Sequence, residues 1–203
     1  EYFIFVIFIA LVVVLTCLKP SFIQPSNLVN ILKVWEGGMA IFGGISAGTQ
    51  TILAFNYGAG QPDRVKKAQR FIFFLSAGYT TILFILAQTA GHIFVRLFTS
   101  DPALIAEAAK TIKIYTLAVI PLSIQYVIVD GFTGLGKVQL SLPLSFFRKL
   151  VYFLPLFLLP RFFGARATFY AEPISDIIAP VVSIFIYAVA MKRILKKPVI
   201  PNF

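Results

Sequence analysis

Long uncharged stretches alternate with short polar blocks along this chain. Six stretches lie near the ~20 residues that cross ~30 Å of hydrocarbon as a helix. Span a runs from Tyr2 to Leu18, span b from about Val34 to Gly58, and span c from Phe71 to about Val95. Span d runs from about Ile112 to Leu135, span e from about Val138 to Pro160, and span f from about Ala167 to Leu195. Lipid offers no hydrogen-bond partner, so each span must satisfy its backbone internally as a helix. No series of segments alternates with period two, as a membrane barrel requires. The expected fold is all-α: a polytopic membrane protein whose six transmembrane helices form one lobe, a single domain over residues 1–203.

The polar blocks read as connections. Leu18 to Lys33 holds Pro20, Pro25 and Asn27 and reads as a loop. Ser100-Asp101-Pro102 reads as a helix start, a capping oxygen followed by a proline whose missing N–H costs nothing there. Gly134-Leu135-Gly136-Lys137 and Pro160 to Gly164 read as tight turns. Pro121, Pro143, Pro155 and Pro180 lie inside spans and are expected to kink them.

Composition narrows the class. Of 203 residues, 59% are hydrophobic and 13% charged, about half the ~25% charged share of a soluble domain. The net charge of +10 does not point to nucleic acid, because the basic residues sit at the ends of membrane-length runs. Lipid headgroups and topology explain them. An even number of spans puts both termini on one side. The densest basic clusters, residues 64–70 and 192–197, agree on that side, so both ends are expected in the cytoplasm of a cell-membrane protein. A single cysteine, Cys17, excludes an internal disulfide, and no zinc spacing occurs. Glu1 stands directly before an apolar run, with no basic leader, so the chain reads as part of a longer polypeptide.

Few residues could carry chemistry. Arg148 and Lys149 fall in the middle of span e, where a charge costs about 2.5–3.5 kcal/mol on insertion scales. Arg148 is 11 residues past Lys137, about 16 Å from that edge. Two acids could meet it: Asp130 at about 10 Å from the same edge and Asp176 at about 24 Å from it. Such a pair could be a static tie between helices, or an acid that exchanges a proton or sodium ion. Lys149 could instead snorkel to the surface. Gln50, with Ser46, Thr49 and Thr51, puts amide and hydroxyl groups inside span b, facing a wet cavity or bonding a neighbouring helix. Gly44-Ile45-Ser46-Ala47-Gly48 matches the serine-hydrolase elbow pattern, yet it lies within one apolar span and not between a strand and a helix. Catalysis is therefore not expected. His92, the only histidine, reads as a boundary side chain near the end of span c.

Several blocks agree in order with the second six-helix half of the multidrug and toxic compound extrusion (MATE) transporters. Gly44 to Gln50, then Phe55-Asn56-Tyr57-Gly58-Ala59 and Arg64-Val65, resemble that half's motif. Leu97 to Pro102, Pro121-Leu122, Gly134 to Lys137, Arg148 with Pro155, and Ala171 to Asp176 resemble successive later stretches. The resemblance covers about residues 37–195. Thr51 stands where the family commonly has proline, and residues 1–36 match poorly. What it implies is export of organic cations or drugs in exchange for protons or sodium, with no other cofactor and no metal. It also implies a cavity between two lobes, so the partner is a missing N-terminal six-helix lobe or a second copy. In that frame Asp130 or Asp176 is the coupling acid and Arg148 balances its charge. Gln50, Asn56 and Tyr57 shape the cavity or its inner gate. A lipid-linked or oligosaccharide flippase, or a non-transporting scaffold, are the alternatives.

Overall fold

The computed structural model describes residues 48–96 and 100–196. Among these residues every regular element is helical. The elements are α1 (48–58), α2 (Pro62–Arg96), α3 (Pro102–Tyr115), α4 (Val119–Gly134), α5 (Val138–Phe163), a 3-10 turn (Ala165–Tyr170) and α6 (Ala171–Ile194). Span a and most of span b lie outside the described residues. Among the described residues, three helices are long and apolar enough to cross a membrane, or four if α3 and α4 form one bent span.

Glycine closes two helices at the same end of the bundle. At the end of α1, Gly60 takes φ 66°, and Gly60 N donates to Tyr57 O while Gln61 N donates to Asn56 O. At the end of α4, Gly136 takes φ 68°, and Gly136 N and Lys137 N donate to Thr133 O and Phe132 O. Both are the double bond pattern of a left-handed cap, which a Cβ would disfavour.

Two boundaries differ from the hydropathy pattern. Helix α2 begins at Pro62, nine residues before Phe71, and runs 35 residues, about 52 Å. Its basic first turns hold Arg64, Lys66, Lys67 and Arg70 in helix, because Lys and Arg are good helix formers and Pro62 suits the first position. Span d is broken: α3 and α4 meet at 48°. The break falls at Thr116–Ala118, directly before Pro121, which cannot donate to Leu117 O and whose ring would clash there. Asp101 caps α3 as its sequence implies, accepting from Ala103 N at 2.9 Å. Asp101→Ala is expected to cost about 1 kcal/mol, visible as a modest drop in the thermal unfolding midpoint.

Helix α4 is the hub, packing on α2, α5 and α6; half of its 16 residues are buried. The apolar core gathers at the end that carries the two glycine turns. Leu53, Val65, Ile72, Ile128, Phe132 and Met191 form it, and the Tyr187 ring meets Phe73 edge-on at 5.7 Å and Phe132 at 5.9 Å. Outward faces are apolar instead of charged: Phe74 on α2, Phe146 and Phe157 on α5, and Phe185 on α6 are all more than half exposed. Such faces suit acyl chains, not water.

Candidate functional site

Helix α5 buries only Ser141 and Leu144 fully, and Arg148 and Tyr152 continue that face at helical spacing. The register therefore turns Arg148 inward. Helix α6 meets it with a stripe of small buried residues, Ala171, Ser175, Ala179 and Ser183, whose four-residue spacing permits close approach. Glu172 and Asp176, also four apart, stand beside that stripe.

The result is a three-charge network. Arg148 Nη2 donates to Glu172 Oε1 at 2.8 Å. Arg148 Nε and Nη2 both reach Asp176 Oδ1 at 3.1 Å, and Ser175 Oγ, which donates to Glu172 O at 2.9 Å, lies 3.3 Å from the same oxygen. The guanidinium carbon sits 5.7 Å from the centre of the Tyr126 ring, within cation–π range. Tyr115 from α3 and Tyr152 from α5 lie within electrostatic range of the same carboxylates. One guanidinium thus faces two carboxylates. With all three ionised, the network carries one negative charge in excess.

Asp176 and Arg148 are brought together as the sequence allowed, although their estimated depths differ by about 8 Å. Arginine length and the close packing of α5 on α6 close that gap. Glu172 was not among the two acids weighed for Arg148. Its signal was present: it stands one turn before Asp176 on the same helical face.

Asp130 is half-buried on α4. Tyr126, Asp130 and Gly134 form one i, i+4 face of that helix. Arg148 lies over the first of them, and the Gln50 backbone lies against the last. A Cβ on Gly134 would meet Gln50 O at 2.9 Å. Asp130 therefore stands about 6 Å along the axis from each of these contacts. Asn56 is half-buried and donates from Nδ2 to Ile52 O of its own helix at 2.8 Å. The Tyr57 ring packs on the apolar core and carries Lys137 Nζ 5.6 Å from its centre. His92 is exposed near the end of α2.

A polar seam joins α2 to α3 and α4. Gln69 Nε2 donates to Val127 O at 3.0 Å, Thr80 Oγ1 to Ser123 Oγ at 3.2 Å, and Gln88 Nε2 to Lys113 O at 3.0 Å. Bonds of this kind hold membrane helices at about 0.6 kcal/mol each. Between α5 and α6 lies an apolar cleft of about 260 Å³ lined by Leu140, Pro143, Leu144, Phe147, Val182 and Ile186, with Gln139 its single polar member.

Comparison with known proteins gives three findings. The MatE family model matches residues 26–158, more than half of the chain. A structure described as the inward-facing conformation of a multidrug resistance MATE family transporter of the MOP superfamily superposes with TM-score 0.75 at 14% identity, over 84% of this chain and 40% of that one. The Vibrio cholerae MATE transporter VcmN in the bent form superposes with TM-score 0.65 at 18% identity, over 79% of this chain and 38% of that one. Among curated proteins, the phosphatidylglycerol–prolipoprotein diacylglyceryl transferases of Bifidobacterium longum are 96% identical over 23 residues, 11% of this chain and 7% of theirs. That stretch is too short to carry a fold. The chain spans well under half the length of each of these proteins.

Proposed function

The chain belongs to the MatE family, and on that premise we propose that it is one lobe of an antiporter that exports organic cations in exchange for protons or sodium ions. The carrying observation is the network of Arg148 with Glu172 and Asp176. A membrane-buried ionised cluster is costly and marks ion pathways. The apolar core around Phe132 and Tyr187 lies between this network and the glycine-turn end, and so supports a lobe sealed on that side. Asp130 stands on the α4 face between the network and Gln50, where a cation moving along the helix would meet it. Gln50, Asn56 and Tyr57 lie at the sealed end, as parts of an inner gate. That end carries Arg64, Lys137, Lys192 and Arg193, which supports a cytoplasmic orientation for both chain ends in the cell membrane. A second lobe, preceding this one or supplied by another copy, completes the cavity.

The test is efflux of ethidium from vesicles holding the complete transporter, driven by a proton or sodium gradient. Asp176→Asn or Asp130→Asn is expected to abolish gradient-driven efflux. Unchanged efflux in both variants would remove these acids from coupling.

A further inference from the structure

We propose that the cleft between α5 and α6 binds one anionic phospholipid, with an acyl chain along its apolar lining and the phosphate on Arg193; this goes beyond the antiport reading and stands without it. Helices α5 and α6 are joined by the short turn Ala165–Tyr170 and run in opposite directions. The start of α5 and the end of α6 therefore meet at the glycine-turn end of the bundle. The cleft begins at Gln139, the second residue of α5, and reaches inward to Phe147. Those eight residues span about 12 Å, a little under half of the ~30 Å hydrocarbon core. The cleft thus covers the depth of one leaflet, starting near its headgroups. It opens outward, because Phe146 and Phe185, next to the lining residues Phe147 and Ile186, are more than half exposed.

The apolar lining selects no particular lipid, since acyl chains are as apolar as leucine. It only needs filling, because an empty gap forfeits its packing contacts. Selection comes from the polar rim. Arg193 follows Val182 and Ile186 by eleven and seven residues, the spacing of one helical face. It therefore continues the cleft wall of α6 about 10 Å beyond Ile186, and it is exposed. Among the described residues Arg193 forms no salt bridge. The acid near that end, Asp63, is taken by Lys66 at 3.2 Å, and Lys137 lies over the Tyr57 ring. A guanidinium grips a phosphate through two parallel N–H bonds. On the α5 wall, Pro143 has no N–H, so Gln139 O lacks its usual donor one turn on. The Gln139 side chain is exposed at the mouth. This carbonyl and carboxamide suit the hydroxyls of a glycerol headgroup. A free phosphate would use Arg193 and leave the cleft unfilled. One lipid held this way ties together the two helices that carry Arg148 and Asp176.

Native mass spectrometry of the full chain released from detergent micelles counts the lipids retained. Phosphatidylglycerol and phosphatidylcholine with the same acyl chains are supplied in equal amounts. The expected result is one phosphatidylglycerol per monomer, retained about fivefold over phosphatidylcholine, the factor that one basic residue near a charged headgroup supplies. Arg193→Gln is expected to remove that preference, and Arg64→Gln on α2 to keep it. Ile186→Trp fills the cleft and is expected to lower retention of both lipids. If Ile186→Trp does not fold, Val182→Phe, a smaller intrusion, must do the same. Equal losses in Arg64→Gln and Arg193→Gln would mean diffuse attraction to a basic surface and overturn the site. Retention unchanged by the cleft-filling variants would overturn the acyl position. Displacement of the lipid by glycerol phosphate alone would reduce the site to one for a phosphate group. Lipid-free dimers in place of lipid-bound monomers would show that a second copy covers the cleft, and would also overturn the proposal.

Discussion

Arg148→Ala is expected to be the most damaging single substitution, lowering stability by about 3–5 kcal/mol, the usual cost of leaving a buried ion partner uncompensated. Glu172 and Asp176 would then face each other one helical turn apart with no cation between them. The Tyr126 ring would also lose the guanidinium 5.7 Å from its centre. Size-exclusion chromatography after stepwise heating in detergent measures the loss as a fall in the midpoint of monodisperse protein. The physical cause is the unpaired acids, so neutralising them is the control. Arg148→Met combined with Glu172→Gln and Asp176→Asn is expected to recover most of the stability, because replacing a whole buried network by uncharged groups is often neutral. If Arg148→Ala melts like the parent, the network does not hold α5 to α6.

Gly134→Val is expected to rank second. A Cβ at Gly134 would lie 2.9 Å from Gln50 O and 3.0 Å from Gln50 Cα, so it meets backbone that has no rotamer to change. Helix α1 must move away from α4, at a cost of about 1–3 kcal/mol for overpacking. Gly131 is the informative contrast. Its Cβ would meet the Gln69 carboxamide at 2.8 Å, the free end of a side chain, so Gly131→Ala is expected to cost about 1 kcal/mol through the lost Gln69–Val127 bond. Equal destabilisation by Gly134→Ala and Gly131→Ala would contradict this ordering. Cross-linking of cysteines placed at residues 50 and 134 measures the displacement of α1 separately from overall stability.

Much of this architecture was legible because lipid makes harsh demands on sequence. The all-helical fold, the α3 cap at Asp101 and the turn at Gly136 each followed from one local rule. The family assignment rested on residue order around Asn56-Tyr57-Gly58-Ala59; the family model bears it out, and both superposed transporters share the fold. The Gly60 cap gives part of that block a physical reason. The 48° bend between α3 and α4 was less visible. Proline marked it at 121, but hydropathy runs through the break without a dip. Glu172 escaped for a different reason. Depth counted along upright helices puts Glu172, 20 residues before Lys192, about 30 Å from that edge, so such a count does not bring it to Arg148. Side-chain reach and the small-residue stripe at Ala171, Ser175 and Ala179 set the true distance. The roles of Gln50, Asn56 and Tyr57 depend on what faces this lobe, which no local rule reports.

The span of sequence inside the charged network bears on how the protein is made. Arg148 finds Glu172 and Asp176 24 and 28 residues later, so α5 leaves the ribosome with an unmatched cation before either acid has been synthesised. A lone arginine at mid-bilayer resists release into lipid. The insertion machinery is therefore expected to retain α5 until α6 arrives, and to pass the two into the bilayer as a hairpin.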